Sequence, residues 1–464
     1  YHLGLLRDAV RGKIDWFSNP YEFATSYTKE PGPSTYFLPF SILSIPLLGH
    51  SIQAGYNLLI LLSLFFGGLS AYLFTKRVTG SLAGGLAGGL LFDIVPVRLT
   101  ELYGGHPSGF ALFLFPLTLY FFDKALFGRS FFYSALAGIC SVALAYQYLF
   151  FSYFLLIFLL PYSIFRLVPA VKSAIKAARM KKLIVASLPF LAGIGLTLYA
   201  GMSFDSGFLG GSTSEGGRSM AEIALFSPPV KGAIDKTSGM SVYLGYALLL
   251  LPVSIIIAFI LRKKGDREGN EILFFVSVFI ISYCLAFGLS LDQYVPLYSF
   301  FYDHFPYFSL SRTPAKIMVI AIFAISVLAG YVVKYTWRRG LPIRIAGVLL
   351  IAFIAADFHP GGPIGVTFLD KENKIYAAIA KDGSADNKVL NLPIWPGDSA
   401  WSSIYQFYAV ESGTYMLNGY SPLVAKKYID NIFWPLVAMN SGAVGKKEVD
   451  LLKNEGVKWI VFHE

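Results

Sequence analysis

Two segments of this chain combine cations, carboxylates and imidazole at spacings that could do chemistry. The first, Arg98-Leu-Thr-Glu101-Leu-Tyr103-Gly-Gly-His106-Pro107, brings a guanidinium, a carboxylate and an imidazole within nine residues. The second, Ser311-Arg312-Thr313-Pro314-Ala315-Lys316, carries two cations four residues apart, on one face of any helix that begins there. An arginine fork suits a phosphate, and lysine adds a point charge. Near the N-terminus Asp8 and Asp15 lie seven residues apart, two helical turns, with Arg11 between them. A carboxylate so placed can act as general base toward a hydroxyl. Each set also has a plain structural explanation: a solvated helix face for the aspartates, a capped Gly-Gly turn for Glu101 and His106, snorkelling to headgroups for Arg312 and Lys316. No Walker lysine, HExxH, GxSxG or zinc-ligand spacing occurs in the sequence. Cys140 and Cys284 both lie in apolar runs and form no metal-ligand pattern.

The elements that position these groups are membrane spans. Charged residues make up 14% of the chain and hydrophobic ones 55%, whereas a soluble domain carries about 25% charge. A surface so poor in charge cannot face water all round, so the sequence predicts an integral membrane protein. The net charge of +10 concentrates between apolar runs, which fits orientation in a bilayer better than nucleic-acid binding. Ten candidate spans follow one another at about 53–75, 80–97, 108–123, 131–147, 149–167, 182–202, 240–262, 271–290, 315–336 and 341–357, an all-α polytopic bundle. Between the fifth and sixth lies Phe165 to Lys182, a loop with six basic residues and no acid, hence cytoplasmic. Alternation then places four more loops inside, and each holds Lys or Arg: Lys76 and Arg77, Lys124 and Arg129, Arg262 to Arg267, and Lys334 to Arg344. Asp93, inside the second span, is expected to face the bundle interior and pair with Arg98.

Ten spans leave both chain ends outside. Residues 1–52 then form an extracytoplasmic first loop, 53–357 the transmembrane domain, and 358–464 an extracytoplasmic soluble α/β domain. Leu3, Leu6, Val10, Ile14 and Phe17 recur at helical spacing and predict an amphipathic interfacial helix, after which Asn19-Pro20 and Pro31-Gly32-Pro33 break the chain. In the tail, Lys388 to Leu392 and Val457 to Phe462 are predicted as buried strands. Val424 to Trp434 is predicted as a helix that Pro435 stops or kinks, and Lys446 to Asn454 as one closed by Gly456. The middle loop from Gly201 to Met240, rich in Gly and Ser, is expected to act as a flap over the outer cavity.

With these segments in order, the chain resembles the GT-C-type membrane glycosyltransferases, in particular the YfhO-like and mannosyltransferase-like proteins of bacteria and archaea. The likeness rests on Tyr1-His2-Leu3-Gly4-Leu5-Leu6-Arg7-Asp8 and Asp15-Trp16-Phe17-Ser18-Asn19-Pro20, on Ala54-Gly55-Tyr56-Asn57, Thr79-Gly80, Arg98 to His106 with Pro116-Leu117, and Ser311 to Lys316. In the tail it takes in Asn418-Gly419-Tyr420-Ser421-Pro422 and Gly456 to Val461. The resemblance implies transfer of a sugar from a polyprenyl-phosphate lipid to an acceptor on the extracytoplasmic face of a prokaryotic plasma membrane. It implies an acidic residue in the first outer loop as base, and basic residues near later outer loops on the lipid phosphate. In the related pattern the acid precedes the histidine that matches His2. The expectation is therefore that this carboxylate lies upstream of Tyr1, or that Asp8 or Asp15 takes the role.

On this reading Asp8 or Asp15 deprotonates the acceptor hydroxyl. His2, Arg98, Glu101 and His106 position donor or acceptor, with Glu101 and His106 holding a divalent cation if one is used, and Arg312 and Lys316 stabilise the leaving phosphate. The expected partners are the lipid-linked sugar donor, a lipid, glycan or protein acceptor, membrane lipids and other subunits of a membrane complex, without nucleic acid. Two rivals remain from other classes: a flippase for a lipid-linked sugar, and a catalytically silent GT-C-like scaffold subunit.

Overall fold

The computed structural model describes residues 1–27, 36–204, 211–239, 241–359, 369–370, 373–382, 388–421 and 423–463. The predicted break at Pro31-Gly32-Pro33, part of the middle loop and Pro422 lie outside the described residues. The chain divides into two compact units, one formed by Tyr1–Asn57, Met202–Gly216 and Gly365–Glu464, the other by Leu58–Gly201 and Gly217–Ile364.

The larger unit is a bundle of apolar helices, and the protein is an integral membrane protein. Among the described residues, eight helices are long and apolar enough to cross a bilayer. They include α2 (Ile52–Thr79), α7 (Leu149–Lys176), α8 (Met180–Phe204), α10 (Glu268–Ala286), α11 (Met318–Trp337) and α12 (Leu341–Phe358). The other two spans, 108–128 and 245–263, each start with a 3-10 turn before α5 (Leu114–Gly128) and α9 (Leu250–Lys263). A bent pair, α3 (Leu82–Ile94) and α4 (Pro96–Tyr103), is long and apolar enough when taken together and meets at 45°. The shorter α6 (Phe131–Gln147) completes the set. Leu61, Phe65, Leu160 and Leu196 are each more than half exposed, a side-chain distribution that suits lipid rather than water. At the centre lies α11, buried continuously from Met318 to Lys334. Glycines of α3 let it approach closely: a Cβ on Gly84 would sit 2.5 Å from the Gly330 carbonyl oxygen.

The basic stretch from Phe165 to Lys182 is mostly not a loop. Helix α7 runs through it to Lys176, a short turn follows, and α8 starts at Met180. Arg166 is therefore a buried helical residue. It donates to Asp123 at 2.8 Å and to Glu271 at 2.8 Å, because a buried guanidinium needs charged partners. Arg77 also donates to Asp123, the Tyr331 hydroxyl donates to Glu271 at 2.8 Å, and Lys334 binds Glu268 at 2.5 Å. Lys172, Lys176, Arg179, Lys181 and Lys182 remain exposed around the turn.

The smaller unit holds α1 (His2–Val10) and a three-stranded parallel sheet in the order β2-β1-β3. Its strands are β1 (Lys388–Leu392), β2 (Tyr415–Met416) and β3 (Val457–Phe462), with Leu390 opposite Ile460. Alternation along β1 divides two cores, Leu390 and Leu392 meeting Leu417, Tyr428 and Leu436, while Val389 meets Tyr376, Tyr408 and Val461. The segment Tyr21–Ala24 covers the outer edge of β2, with the Met416 amide donating to the Tyr21 carbonyl at 2.9 Å and the Ala24 amide to the Met416 carbonyl at 2.9 Å.

Three expectations need correction in this unit. The strand β3 is an edge strand with only Val461 buried, so Ile460 and Phe462 are exposed rather than enclosed. Helix α1 stops at Val10, with Gly12 in the left-handed region at φ 68°, instead of continuing to Phe17. Asp8 and Asp15 thus share no helical face. The Val424–Trp434 helix begins at Lys426 and widens to a π turn over Ile429–Phe433, just ahead of Pro435. A proline offers no amide to the helical ladder, and π turns absorb such irregularities.

Candidate functional site

The break between α3 and α4 builds the first half of the site. Pro96 opens α4, and a residue preceding proline is forced out of helical geometry. Val95 accordingly has ψ 133°, and the chain turns there. Asp93 before the bend meets Arg98 after it at 2.5 Å, and Arg98 also donates to the Ser63 carbonyl at 2.6 Å. The guanidinium lies so close to α2 that a Cβ on Gly67 would fall 2.1 Å from it. Arg98 is thus an enclosed clamp inside helical structure rather than a loop residue.

One turn further along α4, Glu101 accepts from Ser108 at 2.7 Å and from Lys316 at 2.5 Å, with His106 Nδ1 3.5 Å away. Lys316 arrives on the 3-10 turn Pro314–Ile317, which leads into α11. Its ammonium also faces the Tyr148 ring at 5.7 Å. Arg98, Glu101 and Lys316 line one cavity whose apolar walls include Leu112, Phe151 and Ile322. Its volume is about 50 Å³, room for only a few water molecules.

Arg312 takes a different place. The α-helix starts at Met318, after both cations, so helical spacing does not align Arg312 with Lys316. The Arg312 guanidinium lies over the Phe226 ring at 4.8 Å. Phe226 belongs to the described part of the middle loop, which is hydrogen-bonded to Leu289 and Ser309 further along the chain. The Arg218 amide donates to the Ser309 carbonyl at 2.8 Å, and the Leu289 amide to Ser227 Oγ at 3.0 Å.

The remaining predicted residues belong to the smaller unit. His2 is half-buried against Phe37, ring centroids 4.9 Å apart, and desolvation pushes its imidazole down to about 3. Asp8 accepts from Arg7 at 2.9 Å and from the Tyr21 hydroxyl at 3.0 Å, while Arg7 also reaches Glu411 at 2.9 Å. Asp15 is exposed beyond the end of α1.

Sequence reasoning missed two buried groups. Glu22 is a carboxylate held by neutral donors: Asn19 at 2.7 Å, Gln406 at 2.5 Å and the Tyr420 amide at 2.9 Å. Burial raises its proton affinity above the usual carboxylate range despite those bonds. Its partners Gln406 and Tyr420 come from the far end of the chain, and no local spacing announces them. The other is Gln147, at the end of α6, which resembles any polar residue at a helix terminus. Among the described residues, no three His, Cys, Asp or Glu side chains come together as a metal site. No family model matches the sequence, and no curated protein is similar to it.

Proposed function

We propose that the chain is a GT-C-like membrane glycosyltransferase that moves a sugar from a polyprenyl-phosphate lipid to an acceptor on the extracytoplasmic face. The observation that carries this reading is the Glu101–Lys316 pair on an apolar-walled cavity at one end of the bundle. Lys316 precedes α11 and Lys334 lies in its last turn, about 27 Å away at 1.5 Å per residue. The cavity therefore lies at the end opposite the basic loops, which makes it extracytoplasmic if the positive-inside rule orients this protein. Apolar walls suit a lipid-borne substrate, and an ammonium suits its phosphate.

In the transfer, the bond from the sugar's anomeric carbon to the phosphate oxygen breaks as the acceptor oxygen attacks. The leaving phosphate takes the electron pair, Lys316 stabilises its charge, and the acceptor's proton passes to a carboxylate. Glu101 holds Lys316, and His106 with Glu101 orients donor or acceptor. The cavity is small as it stands, so on this reading the donor parts its walls on binding. A second reading, the catalytically silent scaffold, is favoured by one observation: Asp8 is already engaged by Arg7 and Tyr21.

The test is transfer of labelled sugar from a set of polyprenyl-phosphate donors by the purified full-length protein, with Lys316→Ala, Arg312→Ala, Asp8→Asn and Asp15→Asn alongside. Loss of transfer in Lys316→Ala and in one aspartate variant supports the enzyme and names its base. Donor bound without any transfer points to the scaffold. No donor bound at all removes the proposal.

A further inference from the structure

Two turns far apart in the sequence come together at the end of the bundle that carries the basic loops. One follows α5 after Gly128, and the other joins Lys176 of α7 to Met180 of α8. Leu126 and Phe127 of α5 pack with Ala170, Val171 and Ala174 of α7 and with Met180 and Leu183 of α8 in one apolar cluster. Beside that cluster Arg129 donates to Ser173 Oγ at 3.0 Å. Arg129 caps α5 in the left-handed region, at φ 50° and ψ 48°, where glycine would sit with less strain. Its Nε is buried without a hydrogen-bond partner among the described residues.

The bond to Ser173 brings Arg129 to the cations of α7. At about 100° per residue, Lys176 falls between Lys172 and Ser173 on the helix surface, within an arc of about 100°. Lys172 and Lys176 are exposed, and Arg179, Lys181 and Lys182 continue the charge around the turn. The neighbouring carboxylates are spent elsewhere: Asp123 on Arg77 and Arg166, Glu271 on Arg166, and Glu268 on Lys334. Among the described residues, no carboxylate pairs with Arg129 or with any of the five cations at the turn.

The same corner faces hydrocarbon. Helix α7 has 28 residues and is about 42 Å long, against about 30 Å of bilayer hydrocarbon. A tilt of about 40°, the upper end of the usual range, would shorten its span only to about 32 Å. Its basic end therefore reaches the headgroup level. Ile164, Val168 and Ile175 form a stripe at helical spacing beside Lys172, and they are 63%, 53% and 64% exposed. Free phosphate or an acidic protein would meet the cations and leave this stripe bare. An uncharged lipid would cover the stripe and leave the cations unbalanced. An anion carried on an acyl chain satisfies both.

We propose that this corner binds an anionic phospholipid, with Arg129, Lys172 and Lys176 on its phosphate and an acyl chain along Ile164 and Val168. The inference is independent of glycosyl transfer.

The experiment titrates the purified full-length protein in detergent with phosphatidylglycerol and with phosphatidylcholine of the same acyl chains, and counts bound lipid by mass spectrometry of the intact protein. The wild-type protein prefers phosphatidylglycerol. The triple variant Arg129→Gln, Lys172→Gln, Lys176→Gln lowers that affinity by about a hundredfold, at about fivefold per cation, and leaves phosphatidylcholine unchanged. A control removes the same charge from other basic turns through Lys264→Gln, Arg338→Gln and Arg339→Gln. The control keeps the preference for phosphatidylglycerol; an equal loss in both variants would show a response to net charge and overturn the site. Glycerol 3-phosphate, the headgroup without chains, does not displace the lipid at comparable concentration; if it does, the apolar half of the site falls and the proposal with it. Displacement by polyglutamate at matched charge would assign the corner to an acidic protein instead. Should the triple variant not purify intact, Lys172→Gln with Lys176→Gln, both exposed, takes its place: a loss of about 25-fold supports the proposal, and an unchanged affinity overturns it.

Discussion

The two ends of the helical bundle bury the same kinds of charge and use them in opposite ways. At the end near the basic loops, Asp123, Arg77, Arg166, Glu271 and Tyr331 join helices α2, α5, α7, α10 and α11 in a network of mutual partners. At the other end, Arg98 and Asp93 close on each other, but Glu101 and Lys316 face a cavity. Ionisable residues at membrane depth are functional candidates by default. The bundle shows why that default needs a second criterion. A network that completes itself holds helices together, whereas one that opens on a cavity has something left to offer a ligand.

The largest effect that could break this contrast comes from the closed end. Asp123→Ala leaves Arg77 and Arg166 buried without their shared carboxylate and should cost about 3–5 kcal/mol in thermal unfolding of the detergent-purified protein. Sugar transfer per folded molecule should be unchanged, and a variant as stable as wild type would undo the distinction. At the open end, Lys316→Ala should lower affinity for polyprenyl phosphate by about tenfold or more. Its effect on stability should be smaller than that of Asp123→Ala, since Glu101 keeps Ser108 as a donor. Equal losses of stability would show that both ends are structural.

A smaller effect separates both ends from a group outside the spans. Burial lowers the proton affinity of His463 from its ordinary value of 6.5, and its Nε2 lies 2.9 Å from the Tyr376 hydroxyl, which donates to Asn391. The unfolded imidazole takes a proton at a pH where the folded one does not. Stability from this group is therefore complete above 6.5 and is lost as the pH falls toward the lower folded value. His463→Gln should flatten that acid-side loss between about pH 7 and pH 5 in unfolding scans. The smallest effect belongs to Asp15→Asn, an exposed substitution that should stay within about 0.5 kcal/mol of wild type. If Asp15 is the base, transfer is lost in that variant all the same.

What the sequence made legible follows from local rules. The apolar runs, the bounds of β1 and β3, the helix closed by Gly456 and the Asp93–Arg98 pair depend on neighbours a few positions away, and the structure places them as expected. The full extent of α7 was hidden because Arg166 resembles a loop cation until Asp123 and Glu271 arrive from other helices. The exposure of β3 depends on its place at the sheet edge, which periodicity does not encode. Glu101 and Lys316 were visible as candidates, but their direct bond spans 215 residues of sequence.

The cover that Tyr21–Ala24 lays along β2 sets an order of assembly. Glu22 leaves the ribosome well ahead of its donors, Gln406 and Tyr420, which lie 384 and 398 residues further on. At 5–20 residues per second, synthesis of that stretch takes roughly 20–80 s. Throughout that interval the first segment has neither its strand partner nor the donors that offset the burial of its carboxylate. The smaller unit is therefore completed only when the bundle has been made, and a chain that stops short of Tyr415 leaves the first segment without the strand it covers.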